Sequence, residues 1–219
     1  MCFSAEADLV AGVVVTAIGA DALRQVRRPA ERALGALPVL LGAHLLIEVP
    51  VWLWLTGDID PSIGRQAMWL YLAVALVVLP VFVPLAVRAV EPDPGRRRTM
   101  GHLAMVGAAL AGVYLLGLLH APVDVEIVGS HLAYRLGMDY GGLLAGVYAV
   151  VACAPPMLSS ERRIAAFGVA NLAAVVVLVW VESSALTSLW CAWAALTSVA
   201  IAAHLRRADR HEEVRIHVA

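Results

Sequence analysis

An imidazole and a carboxylate lie four residues apart, at His44 and Glu48, inside a long apolar stretch of the sequence. In a helix this spacing puts both side chains on one face, where they form a hydrogen-bonded pair or supply two ligands to one metal ion. A carboxylate at the centre of a membrane helix costs roughly 2.5–3.5 kcal/mol on insertion scales, so it normally faces a partner or a water-filled cavity. The alternative without a metal is a protonated Glu48 bonded to a neighbouring helix, with His44 as an interior histidine.

Two cysteines, Cys2 and Cys191, offer sulfur ligands near the two ends of the sequence. They are either ligands of one metal, an oxidised pair that joins the first helix to the last, or two unrelated small apolar side chains. The metal is favoured, because Glu48 and His131 are expected at a compatible depth and the four side chains together suit zinc, iron or copper. The remaining cysteine, Cys153, is expected to be a buried apolar side chain.

The composition of the chain indicates that membrane-spanning helices hold these residues. Hydrophobic residues make up 61% of the 219 residues and the mean hydropathy is +0.81, which is too apolar for a soluble domain of this length. A helix needs about 20 apolar residues to cross roughly 30 Å of hydrocarbon. Runs of suitable length are predicted at 7–23, 33–56, 66–87, 100–120, 137–158, 163–181 and 185–204. The expected fold is all-α, a seven-transmembrane-helix bundle over residues 1–205 with a short polar tail at 206–219.

The positions of the arginines predict how these spans are oriented. Clusters lie in alternate connections and in the tail, at Arg24, Arg27, Arg28, Arg32, Arg88, Arg96, Arg97, Arg98, Arg162, Arg163, Arg206, Arg207, Arg210 and Arg215. Because cytoplasmic loops of membrane proteins are enriched in Arg and Lys, the pattern places the N-terminus outside and the C-terminus inside. The first run is expected to remain as a span and not to be a signal peptide, since Glu6 and Asp8 precede it where a basic segment should stand.

With this orientation the candidate ligands fall at one depth, near the outer leaflet. Cys2 lies at the outer end of the first span, Glu48 about two turns from the outer end of the second, and Cys191 about two turns into the seventh. The connection before the fifth span adds His131 and Tyr134. Burying two thiols, a carboxylate and an imidazole together is costly unless a cation neutralises them. The sequence therefore predicts one bound transition-metal ion.

Residues and motifs that the sequence lacks narrow the function classes. There is no lysine, which excludes the retinal Schiff base that a seven-helix protein with an external N-terminus would otherwise suggest. The net charge of −1 gives no reason to expect a nucleic-acid partner, and HExxH, CxxC, P-loop and GxSxG motifs do not occur. Trp52 and Tyr71 belong to a cluster of aromatic residues on the outer side, most of which are expected to form an interfacial belt in contact with the lipid bilayer.

Several segments of the sequence resemble a known family. They are MCFSAEA at the start, HLLIEVPVWL in the second span, HLAY at 131–134, PMLSS at 156–160 and SLWCAWAALTS at 188–198. From end to end the chain resembles the bacterial membrane proteins of the uncharacterised DUF6629 family, which implies a place in the bacterial cytoplasmic membrane. The characteristic motif residues of that family correspond in this chain to Cys2, Glu48, His131 with Tyr134, and Cys191. The chain departs from the family pattern with His44 where Gln is usual and Val49 where Gly is usual, and no activity is implied.

One function and two alternatives follow from these observations. The expected function is that of an integral membrane metalloprotein with one zinc, iron or copper ion near the outer leaflet. Its ligands are Cys2, Glu48, His131 and Cys191, and His44 and Tyr134 contact those ligands. With an open coordination position it would act on a lipid or small apolar substrate. One alternative is a transporter or channel in which Glu48 and His44 relay protons or a cation, although few ionisable groups occupy the inner half of the spans. The other is a noncatalytic sensor or structural subunit of a membrane complex.

Overall fold

The computed structural model describes residues 4–181, and most of them are helical. The helices are α1 (Ala5–Gln25), α2 (Arg32–Leu55), α3 (Pro61–Ala73), α4 (Leu79–Val90), α5 (Pro94–His120), α6 (Gly141–Met157) and α7 (Arg162–Val181). A 3₁₀ turn at Pro29–Glu31 precedes α2, and a π-helical turn at Val74–Val78 joins α3 to α4 in one continuous segment. The seventh predicted span at 185–204, the tail, Cys2 and Cys191 lie outside the described residues.

Short polar side chains fix where several helices begin. The backbone N–H of Ala7 donates to Ser4 Oγ at the start of α1, over 3.3 Å. Asp60 accepts from the N–H of Ser62 at 2.7 Å, and Asp93 accepts from the N–H of Arg96 at 2.7 Å. In both aspartate caps a proline follows at once, in the first helical position, where its missing N–H costs no hydrogen bond. The predicted apolar runs from 7–23 to 163–181 each correspond to a helical segment, with ends that differ by at most six residues.

Within residues 4–181, three helical segments are long and apolar enough to cross a membrane. They are Pro29–Leu55, Pro61–Val90 and Pro94–His120. Helix α6 is apolar but shorter, with 17 residues. The described helices thus favour a multi-pass membrane protein, and the full count of seven spans remains a proposal.

The connection between α5 and α6 is a β-hairpin, so the described part of the fold is mostly helical, where the sequence predicts helices alone. Strands β1 (Val123–Val128) and β2 (His131–Leu136) pair antiparallel, with Val125 opposite Tyr134 and Val128 opposite His131. Valine and isoleucine alternate with acidic residues in β1, which suits a strand with one buried face. The turn uses Gly129 at φ +59°, a conformation that glycine adopts without steric cost.

Helices α1 and α2 pack closely because glycines face each other across their interface. A Cβ atom added to Gly42 would lie 2.5 Å from the backbone nitrogen of Thr16, and one added to Gly19 would lie 2.7 Å from that of Val39. Small residues that let helix backbones approach are the usual device for helix packing in membranes. The tight contact sets the depth of α1 against α2, and so brings the start of α1 beside the second half of α2.

The bundle has two ends, each with its own hydrophobic core. The hairpin end carries β1 and β2 and the turn at 56–60, while the arginine end carries the connections 26–31, 91–93 and 158–161. The core at the hairpin end contains Val15, Leu45, Val51, Trp52, Met68, Tyr71, Leu72, Leu118 and Leu132. The core at the arginine end contains Val26, Leu34, Leu37, Ala86, Val87, Met100 and Ile164.

Candidate functional site

Three ionisable side chains are fully buried next to the core at the hairpin end. Asp8 on α1 and His44 and Glu48 on α2 each have 0% of their surface exposed. His44, Glu48 and Trp52 follow one another at intervals of four residues, so they share one face of α2. His44 and Glu48 therefore share one face of α2, as their spacing predicts, and both side chains are buried in the protein interior.

Each buried carboxylate accepts a hydrogen bond from an aromatic side chain. The phenol of Tyr134 on β2 donates to Glu48 Oε1 at 3.1 Å. The indole N–H of Trp52 donates to Asp8 Oδ2 at 2.9 Å. Buried polar groups are normally satisfied in this way, because an unmade hydrogen bond costs more than a made one gains. The two bonds tie the hairpin to α2 and α2 to α1.

A column of three aromatic rings lies beside these carboxylates. His44 stacks on Tyr71 with ring centroids 4.0 Å apart and planes 12° apart, and Tyr71 stacks on Tyr134 at 4.8 Å and 16°. Tyr71 is 0% exposed and Trp52 is 5% exposed. These two rings therefore do not belong to the belt that most of the outer aromatic residues are expected to form. Both are packed in the protein interior, where each contacts a group of the buried polar cluster.

The π-helical turn begins three residues after Tyr71 in the chain. A π turn adds one residue to the helical repeat and displaces the hydrogen bonds of the backbone. The phenol of Tyr148 on α6 donates to the carbonyl oxygen of Ala75 within this turn, at 2.8 Å. Such turns are frequent at functional sites. Here the turn lies between Tyr71, which faces the polar cluster, and the rest of the Pro61–Val90 segment.

The buried ring of His44 is a polar group of the cluster for which residues 4–181 supply no hydrogen-bond partner. Neither of its ring nitrogens has a hydrogen-bond partner among the described residues, although the side chain is fully buried. A buried imidazole normally has at least one partner, and an unexplained one calls for a water or an ion. His44 and Glu48 are one helical turn apart, so they could supply a nitrogen and an oxygen ligand to the same ion.

A transition-metal site needs more ligands than these two. No group of three or more His, Cys, Asp or Glu side chains suited to a metal occurs among residues 4–181. Structural zinc sites have four protein ligands and catalytic ones usually have three. The residues present fit part of such a site, and the remaining donors would come from Cys2 and Cys191, which lie outside the described residues.

His131 occupies the tip of the hairpin. It opens β2 opposite Val128, and the alternation of side chains along a strand puts it on the face opposite Tyr134, roughly 10 Å further along. The described contacts thus bring Glu48, His44 and Tyr134 together. Cys153 is 1% exposed and accepts a hydrogen bond from Asn171 Nδ2 at 3.3 Å, so its expected burial is confirmed.

Asp8, Trp52 and Tyr71 belong to the site but were not expected in it. Asp8 stands at the very start of the predicted 7–23 span, where a buried carboxylate needs a partner as Glu48 does. Trp52 continues the spacing of four that relates His44 to Glu48. Both signals are present in the sequence. The place of Tyr71 is set by the packing of α3 and by the π turn, which the sequence pattern does not indicate.

Comparison with known proteins identifies a family and no activity. A family model described as a family of unknown function, DUF6629, matches residues 1–215, and the chain therefore belongs to that family. No curated protein and no solved structure matches the chain. The resemblance inferred from the segments of the sequence is confirmed, and the function has to be argued from the site itself.

Proposed function

We propose that this member of the DUF6629 family is an integral membrane metalloprotein that binds one zinc, iron or copper ion at the hairpin end of the bundle. The proposal includes seven spans, an external N-terminus and a place in the bacterial cytoplasmic membrane. Glu48 and His44 are the ligands that the described residues offer, and Cys2 and Cys191 are proposed to complete the set. His131, the imidazole ligand expected from the sequence, is tested by the experiment described below.

The observation that carries this proposal is the buried imidazole of His44 with no hydrogen-bond partner among residues 4–181. A metal ion bound to a ring nitrogen accounts for that burial, because the lone pair then has a partner. The buried carboxylates Asp8 and Glu48 point the same way, since a cation offsets the free energy of burying negative charge.

The surrounding contacts suit a metal site. Metal-bound carboxylates are usually held in place by a further hydrogen bond, and the Tyr134 phenol gives one to Glu48. The stack of His44 on Tyr71 fixes the plane of the imidazole ring in the same way. When bound, an ion with an open position would activate water or polarise a carbonyl of a lipid or small apolar substrate. With no open position the ion would be structural and the protein a sensor or a subunit.

The test is the metal content of the detergent-purified protein, measured by plasma mass spectrometry. We expect about one equivalent of metal in the wild type, as one mononuclear site requires. Cys2→Ala, Cys191→Ala and Glu48→Gln should each lower the metal content greatly, while Cys153→Ala is the matched control and should retain it. Stoichiometric metal in both outer cysteine variants would overturn the ligand set. His44→Gln and His131→Ala then decide which imidazole is a ligand.

A proton-binding site is the second candidate. It is favoured by the finding that no third ligand joins His44 and Glu48 within the described part of the chain. A protonated Glu48 can still accept the phenol of Tyr134 through its carbonyl oxygen. In vesicles loaded with a pH-sensitive dye, the reconstituted protein would then dissipate an imposed pH gradient and Glu48→Gln would not. Wild-type protein that holds no metal and conducts protons would establish this candidate in place of the first.

A further inference from the structure

We propose that Arg88, Arg97 and Arg98 form a binding site for the phosphate of an anionic phospholipid at the arginine end of the bundle. The site is independent of the metal and lies at the opposite end from His44 and Glu48. It is a cavity of about 310 Å³ between the end of α4 and the start of α5, lined by these three arginines and Pro94.

The position of the arginines follows from the local structure of the two helices. Arg88 lies in the last turn of α4, and its Nε donates to the carbonyl oxygen of Arg97 at 3.2 Å. Its side chain passes over α5 at Gly101, where an added Cβ would lie 3.5 Å from Arg88 Nε. Arg97 and Arg98 belong to the first turns of α5. The side chains of three exposed arginines thus line one opening. Guanidinium groups match phosphate oxygens in geometry and charge.

The nearby acidic side chains do not neutralise this cluster. None of the three arginines forms an ion pair with an acidic side chain among residues 4–181. Asp93 is the N-cap of α5 and accepts from the backbone N–H of Arg96. Glu91 is 2% exposed and accepts from the backbone N–H groups of Asp93, at 3.1 Å, and Ser160, at 2.7 Å, and from the Ser160 hydroxyl. The positive charge of the three exposed arginines is therefore available to an anion from outside the protein.

The site lies where phospholipid headgroups are found. It lies between the end of the Pro61–Val90 segment and the start of the Pro94–His120 segment. Both segments are long and apolar enough to span a membrane. The phosphates of a bilayer lie just beyond the hydrocarbon, and basic pockets between helices on the cytoplasmic side bind anionic headgroups. The N-terminus of α5, with 27 residues, adds partial positive charge on the same side.

The experiment measures lipid binding to the full-length protein by native mass spectrometry in detergent. The probes are phosphatidylglycerol, phosphatidylcholine and inorganic phosphate. We expect the wild type to prefer phosphatidylglycerol over phosphatidylcholine by roughly tenfold, as expected for charge-assisted hydrogen bonds to an anionic headgroup. Arg97→Gln and Arg98→Gln should each lose most of this preference. The conservative variants Arg97→Lys and Arg98→Lys should keep part of it, because lysine retains the charge but not the paired donors.

Arg24→Gln is the matched control, since Arg24 is an exposed arginine in the last turn of α1, at the same end of the bundle but outside the cavity. It removes the same charge and should leave the lipid preference unchanged. A similar loss of preference in Arg24→Gln and Arg97→Gln, or no preference in the wild type, would overturn the site. Competition by inorganic phosphate at the same concentration as the lipid would show a phosphate site of another kind and overturn the lipid assignment. Equal helix content by circular dichroism in all variants separates these outcomes from misfolding.

Discussion

Replacing Tyr134 with phenylalanine tests the hydrogen bond that joins the hairpin to Glu48. The change removes only the phenol oxygen, which donates to Glu48 Oε1 at 3.1 Å, and keeps the ring that stacks on Tyr71 at 4.8 Å. A neutral hydrogen bond contributes about 0.5–1.5 kcal/mol to stability, and one to a charged group about 1.5–3 kcal/mol. The loss of unfolding free energy therefore reports whether Glu48 is ionised, as a metal ligand must be, or protonated.

The matched control is Tyr148→Phe, which removes a phenol that donates to the neutral carbonyl of Ala75 at 2.8 Å. We expect Tyr134→Phe to cost about 1 kcal/mol more than this control if Glu48 is ionised. Unfolding is followed by circular dichroism as the mole fraction of sodium dodecyl sulfate in mixed micelles is raised. Equal costs would indicate a protonated Glu48. No measurable cost in Tyr134→Phe would refute the hydrogen bond and the tie between hairpin and helix.

Three further perturbations follow from the contacts. Trp52→Phe should cost about 1–3 kcal/mol of unfolding free energy, because the fully buried Asp8 loses the indole donor. Gly42→Val should cost about 1–3 kcal/mol or more by overpacking the first two helices, whereas Gly112→Ala, whose Cβ would meet nothing within 4 Å, should be neutral or stabilising. Burial raises the pKa of Glu91, but hydrogen bonds from Ser160, Asp93 and Ser159 outweigh it and hold that pKa below 4.5. Its stabilisation is thus present above pH 4.5 and lost as the pH falls through the lower folded value, so wild type and Glu91→Gln should differ most in unfolding free energy near neutral pH.

The helices could be predicted because their cause is local. Each apolar run is long enough to fold as a helix in an apolar environment, where every backbone group must be bonded within the chain. The hairpin was not predicted, since β1 is only six residues long. The connection between α5 and α6 that contains both strands also carries five charged or histidine side chains. Its alternation of apolar and acidic residues was the available signal.

The candidate site was predictable to the extent that it depends on spacing along one helix. His44 and Glu48 share a face of α2 because they are four residues apart, and the structure buries both. Their partners come from far along the chain: Tyr134 is 86 residues from Glu48, and Trp52 is 44 residues from Asp8. Such pairs depend on the packing of α1 against α2 and on the hairpin, which no local pattern specifies.

Glu48→Gln separates the metal from the proton as the occupant of the site. Glutamine has nearly the shape of glutamate and is neutral, and its carbonyl oxygen can still accept the phenol of Tyr134. If Glu48 is protonated, the variant therefore resembles the native state and should lose no more than about 1 kcal/mol of unfolding free energy, the typical cost of a single substitution. If Glu48 binds a metal ion, the variant loses an anionic ligand and the binding free energy that stabilises the folded state. The wild type should then be destabilised by a chelator to the level of the variant, and the variant should not respond to the chelator. A variant that stays sensitive to the chelator would show that the metal is held without Glu48, and the ligand set proposed for this site would be wrong.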